Sequence, residues 1–181
     1  MRLLFEIDKK DYNESGTKCI RPSVRGIIIK DDKIAMVHSL KYDYYKFPGG
    51  GMKNGEEKEE TLIREVKEES GLIVIPETIR EYGLVHRKQK GKIEDIFIQD
   101  NYYYLCKAKD SVSEQKLDDY EAEEAFTLEF VTLDYAIRVN DMNNHGSKTD
   151  DPRYRVMIER ESRVLKMLLE EGYFQNGDNY E

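Results

Sequence analysis

Between Gly50 and Leu72 the chain carries Glu56, Glu57, Glu59, Glu60, Glu65, Glu68 and Glu69, its densest run of carboxylates. At helical spacing, Glu65, Glu68 and Glu69 share an arc of roughly 100° that borders the apolar arc of Leu62, Ile63 and Val66 rather than the far, wet side. Like charges three and four positions apart each cost about 0.3 kcal/mol on an exposed helix, and more where water is limited. A compensating charge is therefore expected. A hard divalent cation such as Mg²⁺ takes oxygen ligands and bridges carboxylates to a substrate phosphate, so a metal site is one reading and a solvated helix face the other.

The pattern is longer than the helix. Gly50, five residues, Glu56, seven residues, then Arg64-Glu65-Val66-Lys67-Glu68-Glu69-Ser70-Gly71-Leu72 resembles a complete Nudix box, the signature of the Nudix hydrolases, with Phe47-Pro48-Gly49-Gly50-Gly51 similar to the stretch that leads into it. The resemblance implies Mg²⁺- or Mn²⁺-dependent cleavage of a nucleoside diphosphate linked to another group, with water attacking phosphorus. It also implies that Glu65, Glu68, Glu69 and the Gly49 or Gly50 carbonyl are metal ligands. Glu56 and Arg64 match supporting positions, and Arg64 can pair with Glu60 or Glu68 one helical turn away.

The resemblance further implies a glutamate just before a late strand, as in many Nudix enzymes, where it binds metal or takes a proton from the attacking water. In the acidic stretch Asp118, Asp119, Glu121, Glu123, Glu124, the first choice is Glu124, with Glu121 and Glu123 as alternatives and a solvated loop as the competing reading. Arg25, Lys46, His38 and Arg87 are the cations within reach of phosphates near the Gly-rich loop, Arg25 and Lys46 with Gly50 being the substrate-binding candidates. Tyr42, Tyr44, Tyr45 and Tyr102 to Tyr104 can stack a base or fill a core. His86 and His145 lack metal-ligand spacing.

These residues need elements to hold them. Strands are expected at Leu3 to Ile7, at Val24 to Lys30 paired as a hairpin with Ile34 to His38, and at Leu72 to Ile75, Glu81 to Lys88, Glu94 to Lys107 and Leu128 to Leu133. A first long helix is expected over Asn54 to Ser70, capped by Asn54 with Glu57 three positions on, and stopped by Gly71. A second helix starts near Leu133 and a last one covers Pro152 to Glu171. The expected fold is α+β, a Nudix-type α/β/α sandwich on a mixed sheet, in one domain over 1–181 with its core at about 20–140.

The composition agrees with a compact catalyst for small ligands. The 181 residues carry 29 Lys and Arg against 37 Asp and Glu, a net charge of -8 that disfavours nucleic-acid polymers and anionic membranes. Cys19 and Cys106 form no paired motif, and no apolar run has the length of a membrane span, so a cytoplasmic location is expected. A homodimer through the last helix is open, as is capping of the sheet by it. The competing function is a non-catalytic Nudix-like nucleotide sensor, which the full set of glutamates disfavours. About fifteen residues past the box, where a proline would suggest ADP-ribose and a tyrosine dinucleoside polyphosphates, the chain reads His86-Arg87-Lys88-Gln89. A nucleoside triphosphate or a nucleotide sugar therefore stays open.

Overall fold

A computed structural model describes residues 1–142 and 144–173. The strands are β1 (Leu3–Asp8), β2 (Lys18–Ile20), β3 (Ser23–Ile27), β4 (Ile29–Lys30), β5 (Lys33–Ser39), β6 (Tyr44–Lys46), β7 (Leu72–Val74), β8 (Arg80–Lys90), β9 (Ile96–Leu105), β10 (Ala108–Val112) and β11 (Phe126–Val131). The helices are α1 (Lys58–Ser70), α2 (Asp119–Glu123), α3 (Leu133–Asp141) and α4 (Pro152–Glu170). One sheet runs β1-β8-β9, with β2 and β3 both parallel to the far side of β9, while β8 and β9 are antiparallel. A second sheet runs β11-β5-β4 with β6 also on β5, and β7 pairs with β10.

Strand alternation sends side chains to two cores, one on each face. Val24, Ile28, Ala35 and Tyr104 face Leu62 and Val66 of α1. Ile27, Ile34, Met36 and Tyr103 face Leu133, Ala136 and Val139 of α3 and Val164, Leu165 and Leu168 of α4. The period of 2 in the strands thus yields the expected three layers, with a mixed sheet system between α1 and the α3–α4 pair.

Four local expectations are corrected. The run Val24 to Lys30 is not one hairpin strand. It divides at Ile28, so that β3 pairs with β9 and only β4 forms the hairpin with β5. Helix α1 starts at Lys58, because the capping box is Glu57 with Glu60 rather than Asn54 with Glu57, and Gly71 closes it at φ 75°. The acidic stretch contains α2 rather than only a loop. The run Glu94 to Lys107 is followed by a further strand, β10, which the sequence reading lacks.

Candidate active site

The Gly-rich segment between β6 and α1 lies along β3, held by Val24 N–H on the Gly50 carbonyl at 2.9 Å and Gly26 N–H on the Pro48 carbonyl at 2.8 Å. Gly49 has φ 139°, and a side chain there would run into the Val24 carbonyl. At Gly50 a Cβ would occupy the space taken by the Glu65 carboxylate. Two glycines therefore let α1 bring its carboxylates against the loop backbone. Glu69, buried, accepts the Gly49 N–H on Oε2 at 2.8 Å and the Lys46 ammonium on Oε1.

Arg64 organises the other acids. Its Nε and Nη2 grip the two oxygens of Glu56 at 2.6 and 2.7 Å, and its Nη1 reaches Glu65 at 2.6 Å and Glu68 at 3.1 Å. The expected pairing with Glu68 is present, whereas Glu60 is taken by the capping box. Glu56 also accepts from the Lys53 N–H and the Thr61 hydroxyl. Arg64 first, then these donors, hold its carboxyl down to about 2. The same acids push the Arg64 guanidinium up, Glu56 most.

Among the described residues, no three His, Cys, Asp or Glu side chains converge as a ready-made metal cage. Glu65 and Glu68 lean on Arg64 and Glu69 on Lys46, with Glu65 set against Gly50 and Glu69 against Gly49. The donors still fit Mg²⁺ or Mn²⁺: all are hard oxygens, and Gly50 leaves the space in which Glu65 meets the loop. Of the two carbonyls, Gly50's is engaged by the Val24 backbone, while Gly49's accepts from the Arg25 Nη1 side chain. Arg25 is buried and, among the described residues, its Nε has no hydrogen-bond partner.

The late acidic stretch separates its members. Glu124 does not project from a loop tip; it is 4% exposed and bound by the Lys148 ammonium, the Tyr44 hydroxyl at 2.7 Å and the Ser39 hydroxyl at 3.2 Å. Glu123 lies exposed on Lys41. Glu121 is buried against the site, with Oε2 accepting the Asp118 N–H and Oε1 the Tyr120 hydroxyl. Burial first, then the charge of Glu69, push its carboxyl above the usual range, while Lys46 pulls it back. The Asp118-x-x-Glu121 capping box is the sequence signal for this helix and for the inward glutamate.

Of the other cations and aromatics, Arg25 and Lys46 reach the Gly-rich loop and its acids. His38 instead bonds Glu129 and Asp43 and stacks on Tyr45 at 4.3 Å. Arg87 is buried beneath α4, on Gln89 and the Arg153 carbonyl. Tyr44, Tyr45, Tyr103 and Tyr104 are core residues, which settles their packing role, and Tyr102 is half-buried under the Lys58 ammonium. His145 bonds the carbonyls of Tyr42, Asp43 and Asn140, and His86 pairs with Asp100.

Comparison with known proteins bears on this arrangement. A Methanocaldococcus jannaschii protein described as ADP-ribose pyrophosphatase is 33% identical over 120 residues, 62% of this chain and 71% of that protein. A NUDIX hydrolase from Nitrosomonas europaea superposes with a TM-score of 0.54 at 15% identity, over 81% of this chain and 90% of that one. A MutT NUDIX hydrolase from Burkholderia pseudomallei gives 0.50 at 18%, over 64% and 85%. The two structures share the fold. The family model for the NUDIX domain matches residues 20–151, which span the Gly-rich loop, α1 and α2, and the chain therefore belongs to the Nudix family of hydrolytic enzymes.

Proposed function

We propose that this Nudix enzyme is a Mg²⁺- or Mn²⁺-dependent diphosphohydrolase acting on a nucleoside diphosphate linked to another group. The observation that carries the reading is the pair of α1 carboxylates set against the glycine backbone, Glu65 at Gly50 and Glu69 at Gly49. Glu65, Glu68, Glu69 and the Gly49 carbonyl would hold the metal. When bound, it supplies positive charge to the diphosphate oxygens and acidifies water.

The chain's own groups do the rest. Arg25 and Lys46 bind phosphate oxygens beside Gly50, Arg64 and Glu56 fix the acidic face, and Glu121 takes the proton of the attacking water on its carboxylate. The water oxygen forms a bond to phosphorus as the bridging P–O bond breaks, and the second phosphate leaves as an anion. Glu121 is preferred over Glu124 because Lys148 already neutralises Glu124, whereas Glu121 faces Glu69.

The relative described as ADP-ribose pyrophosphatase favours a nucleotide-sugar substrate over a nucleoside triphosphate. ADP-ribose, other nucleotide sugars, dinucleoside polyphosphates and nucleoside triphosphates, assayed for released nucleoside monophosphate or phosphate, test this choice. Hydrolysis is expected to vanish in EDTA and return with Mg²⁺ or Mn²⁺; full turnover without metal would overturn the reading. A small soluble nucleotide is the proposed ligand, in a cytoplasmic setting, and a homodimer is the proposed assembly to be checked by light scattering. Among the described residues no helix is long and apolar enough to cross a membrane.

A further inference from the structure

Lys46 ends β6, and its side chain is 9% exposed against 3% for Glu69, so their ion pair is shut away from water. The ammonium also lies 4.2 Å from the centre of the Phe126 ring. Both oxygens of Glu69 are committed, Oε1 to Lys46 and Oε2 to the Gly49 N–H. A carboxylate oxygen has lone pairs to spare, yet a divalent ion brought to Oε1 meets a full positive charge already seated there. Binding of metal by Glu69 is therefore an exchange.

An ammonium moved off Glu69 cannot be left unpaired in this enclosure. Glu124 is taken by Lys148, Glu65 and Glu68 by Arg64, and Glu121, the remaining carboxylate near enough to feel Lys46, already accepts the Asp118 N–H and the Tyr120 hydroxyl. The four-carbon stem of lysine allows a swing that the backbone-bound Gly49 N–H does not. We propose that Lys46 is a tethered counter-ion that competes with the divalent ion for Glu69 and, once displaced, pairs with the substrate's diphosphate, coupling metal uptake to nucleotide binding. Each ligand then strengthens the other, because each offers what the other's arrival displaces. This rests on the assignment of Glu69 as a metal ligand in the proposed function, and it adds a positioning role that the assignment alone does not contain.

The experiment is a Mn²⁺ titration followed by electron paramagnetic resonance, on wild type, Lys46→Met, Lys46→Arg and Glu69→Gln, with and without an α,β-methylene nucleoside diphosphate that resists cleavage. Lys46→Met is expected to bind Mn²⁺ alone about tenfold more tightly than wild type, and Lys46→Arg to stay near wild type. The analogue should tighten Mn²⁺ binding in both proteins, because the metal also meets the diphosphate oxygens, but about tenfold more in wild type than in Lys46→Met. A folded Lys46→Met with wild-type Mn²⁺ affinity overturns the exchange while leaving the ligand assignment intact. Undiminished Mn²⁺ binding by Glu69→Gln overturns both. Should Lys46→Met not fold, the ¹⁵N signal of the Lys46 ammonium in wild type decides: it must shift on adding Mg²⁺ alone, and an unmoved signal at saturation rejects the exchange.

Discussion

Two glutamates three positions apart meet different electrostatic fates because one side chain has a buried cation to itself and the other does not. Glu124 is neutralised by Lys148 and bonded by Tyr44 and Ser39, so it is a brace between α2's end, β5, β6 and the turn at Gly146–Asp150. Glu121 faces the charge of Glu69 and is raised above the usual carboxylate range by burial and that charge. A base is inactive while protonated, so kcat should climb with pH as Glu121 ionises, at a point that burial raises and a divalent ion on Glu69 lowers. Glu121→Gln is expected to lower kcat by about 10²-fold or more and to flatten that limb, with small change in KM. Glu124→Gln should instead cost about 3 kcal/mol of stability, because Lys148 is left buried and unpaired, while kcat of the folded fraction stays near wild type. Profiles of kcat against pH and urea midpoints separate the two; the reverse pattern would return the catalytic role to Glu124.

At the scale of elements, α1 is fastened to the loop before it by Arg64 and Glu56. The fork from Nε and Nη2 to both Glu56 oxygens spans eight positions and closes the turn that presents Gly50 and Gly51 to the helix. Glu56 is held down to about 2 when folded, below its ordinary value. Its contribution to stability is present above that ordinary value and is lost as pH falls toward about 2. Glu56→Gln should therefore unfold more readily than wild type near neutrality, and the difference should shrink on acidification. Thermal melts at a series of pH values check the convergence, and a constant gap down to the acid limit would assign the effect to hydrogen bonding rather than charge. The box was legible in sequence because its spacing is dictated by this fork and by helical periodicity, both local. The division of β3 from β4 was not, since Val-Arg-Gly-Ile-Ile-Ile-Lys is apolar on both sides of Ile28 and only its partners, β9 and β5, differ. The inward turn of Glu121 was half legible: Asp118 and Glu121 carry the capping spacing, but that Glu121 is buried while Glu123 is exposed emerges only in the fold. Lys46 was readable as a cation near the loop, and its pairing with Glu69 only through the fold.

For the whole molecule, the notable fact is that α4 begins at Pro152, just beyond the residues 20–151 matched by the family model, and yet braces the site from behind. Its Glu161 accepts the Phe47 N–H at 2.9 Å, immediately ahead of Pro48 and Gly49, and the Tyr103 hydroxyl at 3.3 Å. Arg160 pairs with Glu161 and donates to Gln99 and Asn101, and Asn101 in turn accepts the Ser23 hydroxyl beside the Ser23–Gly51 bridge. Burial pushes the Glu161 carboxyl up, but Arg160 and then Arg25 outweigh it and hold the group below its usual range. The helix is thus anchored by an apolar half, Val164, Leu165 and Leu168, and by a buried ionic half whose geometry sets where the Gly-rich loop starts. Removing the charge alone tests that division: Glu161→Gln keeps a carbonyl for the Phe47 N–H but leaves Arg160 uncompensated, and should cost about 3 kcal/mol. Its loss should also fade on acidification, because a folded value below the usual range means that Glu161 stabilises the wild type only while ionised. If urea midpoints for Glu161→Gln and wild type coincide at neutral pH, the ionic half of α4 contributes nothing net, and the loop is positioned by its bonds to β3 alone.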